Sequence, residues 1–293
     1  MTNTLPTITR TTSLFSPDIS LHEKELSSLI KSSRFLVIGG AGSIGSAVVH
    51  ELLKRNPKLL HIVDISETGI AELVQGIRGS FGNIDGEVDT FAIDCSSYIF
   101  DSFILNGQGY DYVLNLSAVK HELSGQDPFS LMQMIVVNIL NHDKIIQQAK
   151  TKGAKKYFCI STDKTANPEA VLHTSMCIME MFLMHRSLEL PVSFARPCSI
   201  TPQEAGELCL MSCLLGENRD TFFPKPVYLN TKDETLDMGR FNTIGIIKNE
   251  ALYDEQKLKV FTNAIQDLHE KGEWSRTDLI DSFSSLIPDF NRK

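Results

Sequence analysis

The chain has no run approaching the roughly 20 apolar residues that a membrane-spanning helix needs. Its first residues are rich in Thr and Ser and contain no apolar core of the kind a signal peptide carries. No membrane partner is expected, and the cytoplasm is the predicted location. A basic excess is missing too. Against 28 Lys and Arg stand 36 Asp and Glu, a formal charge of -8, and the one short basic cluster, Lys152, Lys155 and Lys156, reads as a solvated helix end. A nucleic-acid groove is therefore disfavoured. The six cysteines, at 95, 159, 177, 198, 209 and 213, include no Cys-x-x-Cys pair, which predicts reduced core thiols. Cys209 and Cys213 share a helix face without a His beside them, a packing pattern, so no metal is expected.

What is present is a core-forming composition, 42% hydrophobic over 293 residues, enough for one large or two modest domains. The organising stretch begins at Phe35 to Ile38, an apolar run too short for a helix. Gly39, Gly40, Gly42 and Gly45 follow, and helical spacing resumes at Ile44, Val48 and Leu52. Strand, tight loop and helix in that order describe a phosphate cradle: the glycines let the backbone approach a pyrophosphate, and the helix start supplies N–H donors from Ser43, Ile44 and Gly45. A second apolar run, Leu59 to Val63, ends in Asp64, about 20 residues beyond the loop, where a carboxylate accepts both ribose hydroxyls of an adenosine. Asp64 would repel the 2′-phosphate of NADP, so NAD is the expected cofactor. The bland alternative is a glycine turn packing a helix on a strand, with Asp64 capping a loop.

Taken in order, residues 1–18 read as an irregular arm, followed by a helix with Ser20 as N-cap and Glu23 completing a capping box. From 35 to about 200, apolar strands alternate with helical patterns: strands at 35–38, 59–63, 89–93, 111–116, 156–160 and 191–195, helices at 43–54, 67–78, 128–150 and 171–187. Such alternation predicts an α/β fold, a Rossmann-type doubly wound parallel sheet. Ligands of such sheets bind at the carboxyl ends of the strands. Those ends carry Asp64; Asp94, suited to an adenine amino group or to capping a turn; Ser117 and Ala118, small enough for a cofactor to lie against; and Lys120 and His121, suited to a phosphate or sugar hydroxyl or to a structural role. The fifth strand ends in Ser161-Thr162-Asp163-Lys164, a hydroxyl, an acid and a potential base side by side, with a surface ion pair as the alternative. Residues 226–248 read as an irregular connector. Helices follow at 253–271 and, behind a Ser275–Asp278 capping box, through Leu279, Ile280, Phe283 and Leu286.

Gly39 to Gly45, Asp64, Asp94, the Asn-Leu-Ser-Ala-Val-Lys-His stretch from 115 and Ser-Thr-Asp-Lys-Thr-Ala-Asn-Pro from 161 together resemble the extended short-chain dehydrogenase/reductases. Within that superfamily they are most similar to the 4,6-dehydratases of UDP-N-acetylglucosamine in polysaccharide and flagellin-glycan synthesis. The resemblance covers about residues 34–225. It implies oxidation at the sugar C4 by NAD(P), elimination of water across C5 and C6, and return of the hydride to C6. Carried onto this chain, it implies Lys164 as the base at C5, Asp163 as the acid for the C6 hydroxyl and Thr162 as the partner of O4. By the same resemblance the substrate is a UDP-sugar, with Lys120, His121 and Arg196 as its contacts.

The sequence departs from the family at two places. The usual Tyr or Met falls on Leu172 and the usual Lys on Met176, neither able to exchange a proton. The substrate region is also short, because Thr201 to Glu207 follows Arg196 almost at once. The chain thus divides into an arm and helix (1–33), an NAD-binding domain (34–200), and a reduced substrate region with C-terminal helices (201–293) that cover a sheet edge or make a subunit contact in a homo-oligomer. Two other readings stand beside the dehydratase: a nucleotide-sugar 4-epimerase, and a dinucleotide-binding or assembly protein without turnover.

Overall fold

The computed structural model describes residues 12–81, 86–119, 127–166, 170–228, 235–250, 253–287 and 290. Among the described residues nine strands form one sheet: β1 (Arg34–Ile38), β2 (Leu59–Asp64), β3 (Glu87–Ala92), β4 (Tyr112–Asn115), β5 (Lys156–Ile160), β6 (Val192–Ala195), β7 (Asp220–Pro224), β8 (Leu236–Asp237) and β9 (Ile244–Lys248). Their spatial order is β3-β2-β1-β4-β5-β6-β7-β9-β8. The pairs from β3 to β7 are parallel, and β9 and β8 close the far edge antiparallel. This is the doubly wound Rossmann-type sheet that the alternation predicts.

The helices are α1 (Ser16–Ser32), α2 (Ser43–Leu53), α3 (Glu67–Phe81), α4 (Tyr98–Asn106), α5 (Pro128–Ile135), α6 (Asn141–Thr151), α7 (Val171–Arg186), α8 (Pro202–Leu215), the short α9 (Lys225–Tyr228), α10 (Glu255–Lys271) and α11 (Arg276–Leu286). Side chains on a strand alternate between faces, and β1 shows what that does here. Phe35 and Val37 enter a core with α1, α2 and α8, whereas Leu36 and Ile38 enter the core on the opposite face with α6 and α7. Full burial of each such side chain stabilises the sheet by about 1.5–3 kcal/mol. A third core, of Leu131, Ile135, Ile178, Phe261, Ile265 and Phe283 among others, docks α10 and α11 on α5 and α7.

Several elements differ from their expected form. α1 starts at Ser16, not after Ser20; Pro17 occupies its first turn, where the missing N–H costs nothing. Glu23 makes no capping box and instead accepts from Arg55 Nε and Nη2 at 2.9 and 2.7 Å. The expected helix over 128–150 forms as a continuous run, α5 to α6, with a π turn inserted at Val136–Leu140. An additional helix, α4, lies between β3 and β4. Its Tyr98, Ile99 and Leu105 are exposed, so its apolar residues show no single face, although Ser97 caps it through the Phe100 N–H. The described part of 226–248, expected to be an irregular connector, contains two strands: β8 and Ile244–Lys248, which is β9 with Ile244 and Ile246 fully buried. Asp18, also fully buried, receives the N–H groups of Asn242 and Thr243 at 2.6 and 2.7 Å, so α1 braces the turn into that strand. The sheet thus runs without a break past residue 200. The Ser275–Asp278 capping box forms as expected. Residues 1–11 of the arm lie outside the described residues.

Candidate functional site

At the end of β1 the chain turns at Gly39, where φ is 76° and a Cβ would stand 2.8 Å from Ser117 N. The N–H groups of Gly39 and Gly40 both donate to Val63 O, at 2.8 and 3.2 Å, tying the loop to β2. Gly42 caps α2 with no side chain in the way. Among the described residues, the N–H groups of Ser43, Ile44 and Gly45 are then left for an anion at the positive end of the helix. A Cβ on Gly45 would come within 2.0 Å of Gly39 O, so only glycine allows helix and loop this close. A cradle that tight, with its donors uncapped, fits the pyrophosphate of a dinucleotide.

Asp64 already holds the loop: its Oδ2 accepts from Ala41 N at 3.0 Å and its Oδ1 from Ser66 N at 2.9 Å. Each oxygen keeps a second lone pair for a ribose hydroxyl. Asp94 takes the turn-capping geometry: its Oδ1 accepts from Ser96 N at 2.8 Å and its carbonyl from Ser97 Oγ at 2.6 Å. Ser117 donates its hydroxyl to Asn115 Oδ1 at 2.6 Å, and Ala118 beside it is half-buried. Lys120 and His121 lie outside the described residues, as do Asn167 and Pro168 of the second motif.

Behind β4, Asn115 Nδ2 donates to the Tyr157 hydroxyl at 2.9 Å, and that hydroxyl meets His142 Nδ1 at 3.1 Å. Burial pushes His142 down to about 4, so its imidazole is neutral at pH 7. Asn138, in the π turn and fully buried, accepts from Val119 N at 2.8 Å and donates to Val119 O and Ser175 Oγ, both at 3.1 Å. One amide thereby ties the loop after β4 to the first turns of α7. None of Asn138, His142, Tyr157 or Glu180 is among the expected site residues. The available signal was a polar residue inside an apolar helical run, as Asn138 is in Met-Ile-Val-Val-Asn-Ile-Leu.

After β5 the chain enters a single 3-10 turn, Asp163–Ala166. The Thr162 hydroxyl donates to Asp163 Oδ1 at 3.1 Å. Both line a cavity of about 310 Å3 shared with Ile44 of the cradle helix and with Leu172, His173 and Met176 of α7. Lys164 sits on the same turn, exposed, and does not line this cavity. Among the described residues no ion pair joins it to Asp163, so the surface-pair alternative is not what forms. The positions where the resemblance places a Tyr and a Lys do face the site, but as Leu172 and as Met176, which is 8% exposed and part of the core.

Below the cavity lies a buried polar network. Ser161 Oγ donates to Glu180 Oε1, and Arg196 Nη2 donates to Thr165 Oγ1 at 2.9 Å and to Glu180 Oε1 at 3.2 Å. Arg196 was expected to contact substrate. Arg196 lines the cavity, and its guanidinium also braces the turn, tying β6, α7 and the 162–165 segment together. The Cys198 thiol, also in the cavity lining, is pushed up to about 11 by burial. All six cysteines are free.

Residues 35–193 match the family described as "Polysaccharide biosynthesis protein". An uncharacterised membrane protein of Methanocaldococcus jannaschii is 29% identical over 166 residues, covering 56% of this chain and 46% of that protein. The capsular polysaccharide biosynthesis protein CapD of Staphylococcus aureus is 27% identical over 168 residues, 57% of this chain and 26% of that one. The chain thus spans less than half the length of these curated relatives. Among solved structures, Pen from Bacillus thuringiensis superposes with a TM-score of 0.58 at 18% identity, covering 67% of this chain and 69% of that one, a likeness of fold. No helix among the described residues is long and apolar enough to cross a membrane. With the family match spanning more than half of its residues, the chain belongs to the polysaccharide biosynthesis protein family.

Proposed function

We propose that the chain holds a nicotinamide dinucleotide, NAD in preference to NADP, in the glycine cradle and acts as a 4,6-dehydratase on UDP-N-acetylglucosamine or a close relative. The observation that carries this reading is the Thr162–Asp163 pair, hydrogen-bonded at 3.1 Å, lining one cavity with Ile44 of the cradle helix. A sugar bound there would meet the hydroxyl–carboxylate pair beside the helix whose start would hold the cofactor. The cofactor supplies the acceptance and return of a hydride. Thr162 orients the sugar hydroxyl. Asp163 gives its proton to the departing C6 oxygen, and Lys164, on the same turn, takes the proton from C5. Asp64 favours NAD because a 2′-phosphate would meet its carboxylate. The family membership supports a role in polysaccharide synthesis.

The test is incubation with UDP-N-acetylglucosamine and mass analysis of the product. Loss of one water, abolished by Lys164→Ala, is expected; an unchanged mass sinks the reading. Run in heavy water, deuterium at C5 separates elimination from a 4-epimerase, which leaves C5 untouched. One observation favours a second reading, a dinucleotide-binding protein without turnover: Leu172 and Met176 line the cavity and neither can move a proton. That reading expects saturable NAD binding with no product from any UDP-sugar, and new activity in Met176→Lys.

A further inference from the structure

The cavity holds more proton-exchanging chemistry than Leu172 and Met176 suggest. Its polar lining groups among the described residues are Ser161, Thr162, Asp163, His173, Arg196 and Cys198. Four of these are unsuited to accept a proton near neutral pH. The Arg196 guanidinium stays charged and is paired with Glu180 at 3.2 Å. The Ser161 and Thr162 hydroxyls donate to Glu180 and Asp163. The Cys198 thiol stays protonated, pushed up to about 11 by burial. Asp163 and His173 are left, one from the turn after β5 and one from the start of α7.

His173 is held where it is by the fold. It lies in the first turn of α7, next to Leu172 and three residues before Met176, so all three reach the same cavity. That turn is anchored: Ser175 Oγ donates to Leu172 O at 2.7 Å and receives Asn138 Nδ2 at 3.1 Å, and Asn138 also holds both polar backbone groups of Val119. His173 is therefore carried on a braced helix start and lines the same cavity as the Thr162–Asp163 pair. Imidazole is the side chain whose ordinary pKa suits it to accept and return a proton at pH 7.

We propose that His173 is the catalytic residue that takes the proton from the sugar C4 hydroxyl during oxidation and returns it when the ketone is reduced. The step rests on the dehydratase reading above. It balances as follows: the C4–H bond breaks with its electron pair passing to the oxidised nicotinamide dinucleotide, the O–H bond breaks with its proton passing to an imidazole nitrogen of His173, and C4=O forms. Lys164 acts only afterwards, at C5, so the two residues divide the reaction into separable halves.

That division gives the experiment. Wild type, His173→Gln and Lys164→Met are each loaded with NAD and mixed with UDP-N-acetylglucosamine, while the absorbance of reduced nicotinamide and the mass of the sugar are followed. His173→Gln is expected to lose at least 100-fold in the rate of nicotinamide reduction, with NAD affinity and melting temperature unchanged. Lys164→Met is expected to reduce its cofactor at the wild-type rate yet release no water. A readout independent of turnover is the imidazole NMR spectrum: the signal missing in His173→Gln is expected to be the one that moves when wild type binds the UDP-sugar. Wild-type reduction rates in His173→Gln, or a His173 signal unmoved by bound sugar, overturn the proposal and leave the dehydratase reading standing. A wild-type protein that neither binds nor converts the sugar overturns both, which separates the two failures. A His173→Gln variant that melts early and loses NAD binding overturns the assignment in favour of a structural role.

Discussion

The two ends of the cleft above the sheet are built on opposite principles. At the cradle end, residues 39–45 act through what their side chains lack: backbone N–H groups face outward because Gly39 and Gly45 leave room, and Asp64, 23 residues after Ala41, clamps the loop with one oxygen. At the other end, side chains from β5, β6 and α7 meet over a cavity whose floor is a Ser161–Glu180–Arg196–Thr165 network. A cradle of backbone groups is set by a few consecutive residues. A cavity with chemistry in it is set by residues far apart in the chain, from Ile44 to Cys198, and each wall can change independently. That is why this chain keeps a complete cradle while its chemical end carries Leu172 and Met176.

Breaking the cradle is expected to have the largest effect. Gly45→Val puts a Cβ where Gly39 O stands 2.0 Å away, and NAD affinity measured by calorimetry is expected to fall about a thousandfold, roughly 4 kcal/mol. An affinity within threefold of wild type would show that the loop yields. The next effect lies behind β4, between the two ends. His142 is held neutral, down to about 4 from an ordinary 6.5. The unfolded chain binds this proton more readily, so His142 contributes stability that is fully present above pH 6.5 and is lost as the pH falls through about 4. The loss is of order 3 kcal/mol. Denaturant midpoints across that window measure it, and His142→Gln is expected to flatten the dependence. The smallest effect sharpens the comparison at its hinge: Asp64→Asn is expected to weaken NAD binding about tenfold, some 1.4 kcal/mol, while narrowing the preference over NADP. A preference as wide as in wild type would remove Asp64 from cofactor choice.

Much of the fold is legible in the sequence because it is written in short-range pattern. The apolar runs at 35–38, 59–63 and 156–160 and the helices between them form within a few residues of their expected bounds, since burial on both faces of a parallel sheet demands continuous apolar strands. Where long-range packing decides, pattern falls silent. β9 is only five residues long and pairs antiparallel with β7, in a stretch whose polar residues read as a connector. α4 exposes Tyr98, Ile99 and Leu105 and so lacks a clean amphipathic stripe. At the site, Arg196 follows a strand end and reads as a substrate contact; that it also braces the turn depends on Glu180, 16 positions earlier and reachable only once α7 packs beside β5.

By itself, the sequence determined the cradle and the parallel sheet beneath it, because both follow from residues adjacent in the chain: glycines that admit a tight turn, apolar runs of strand length and an acid at the next strand end. The tertiary structure alone decided which side chains share the cavity. Leu172, His173 and Met176 reach it because Asn138 and Ser175 fix the start of α7, Asp163 because it opens the 3-10 turn after β5, and Arg196 because burying a guanidinium at its wall requires the Glu180 carboxylate that the packed helix brings within 3.2 Å.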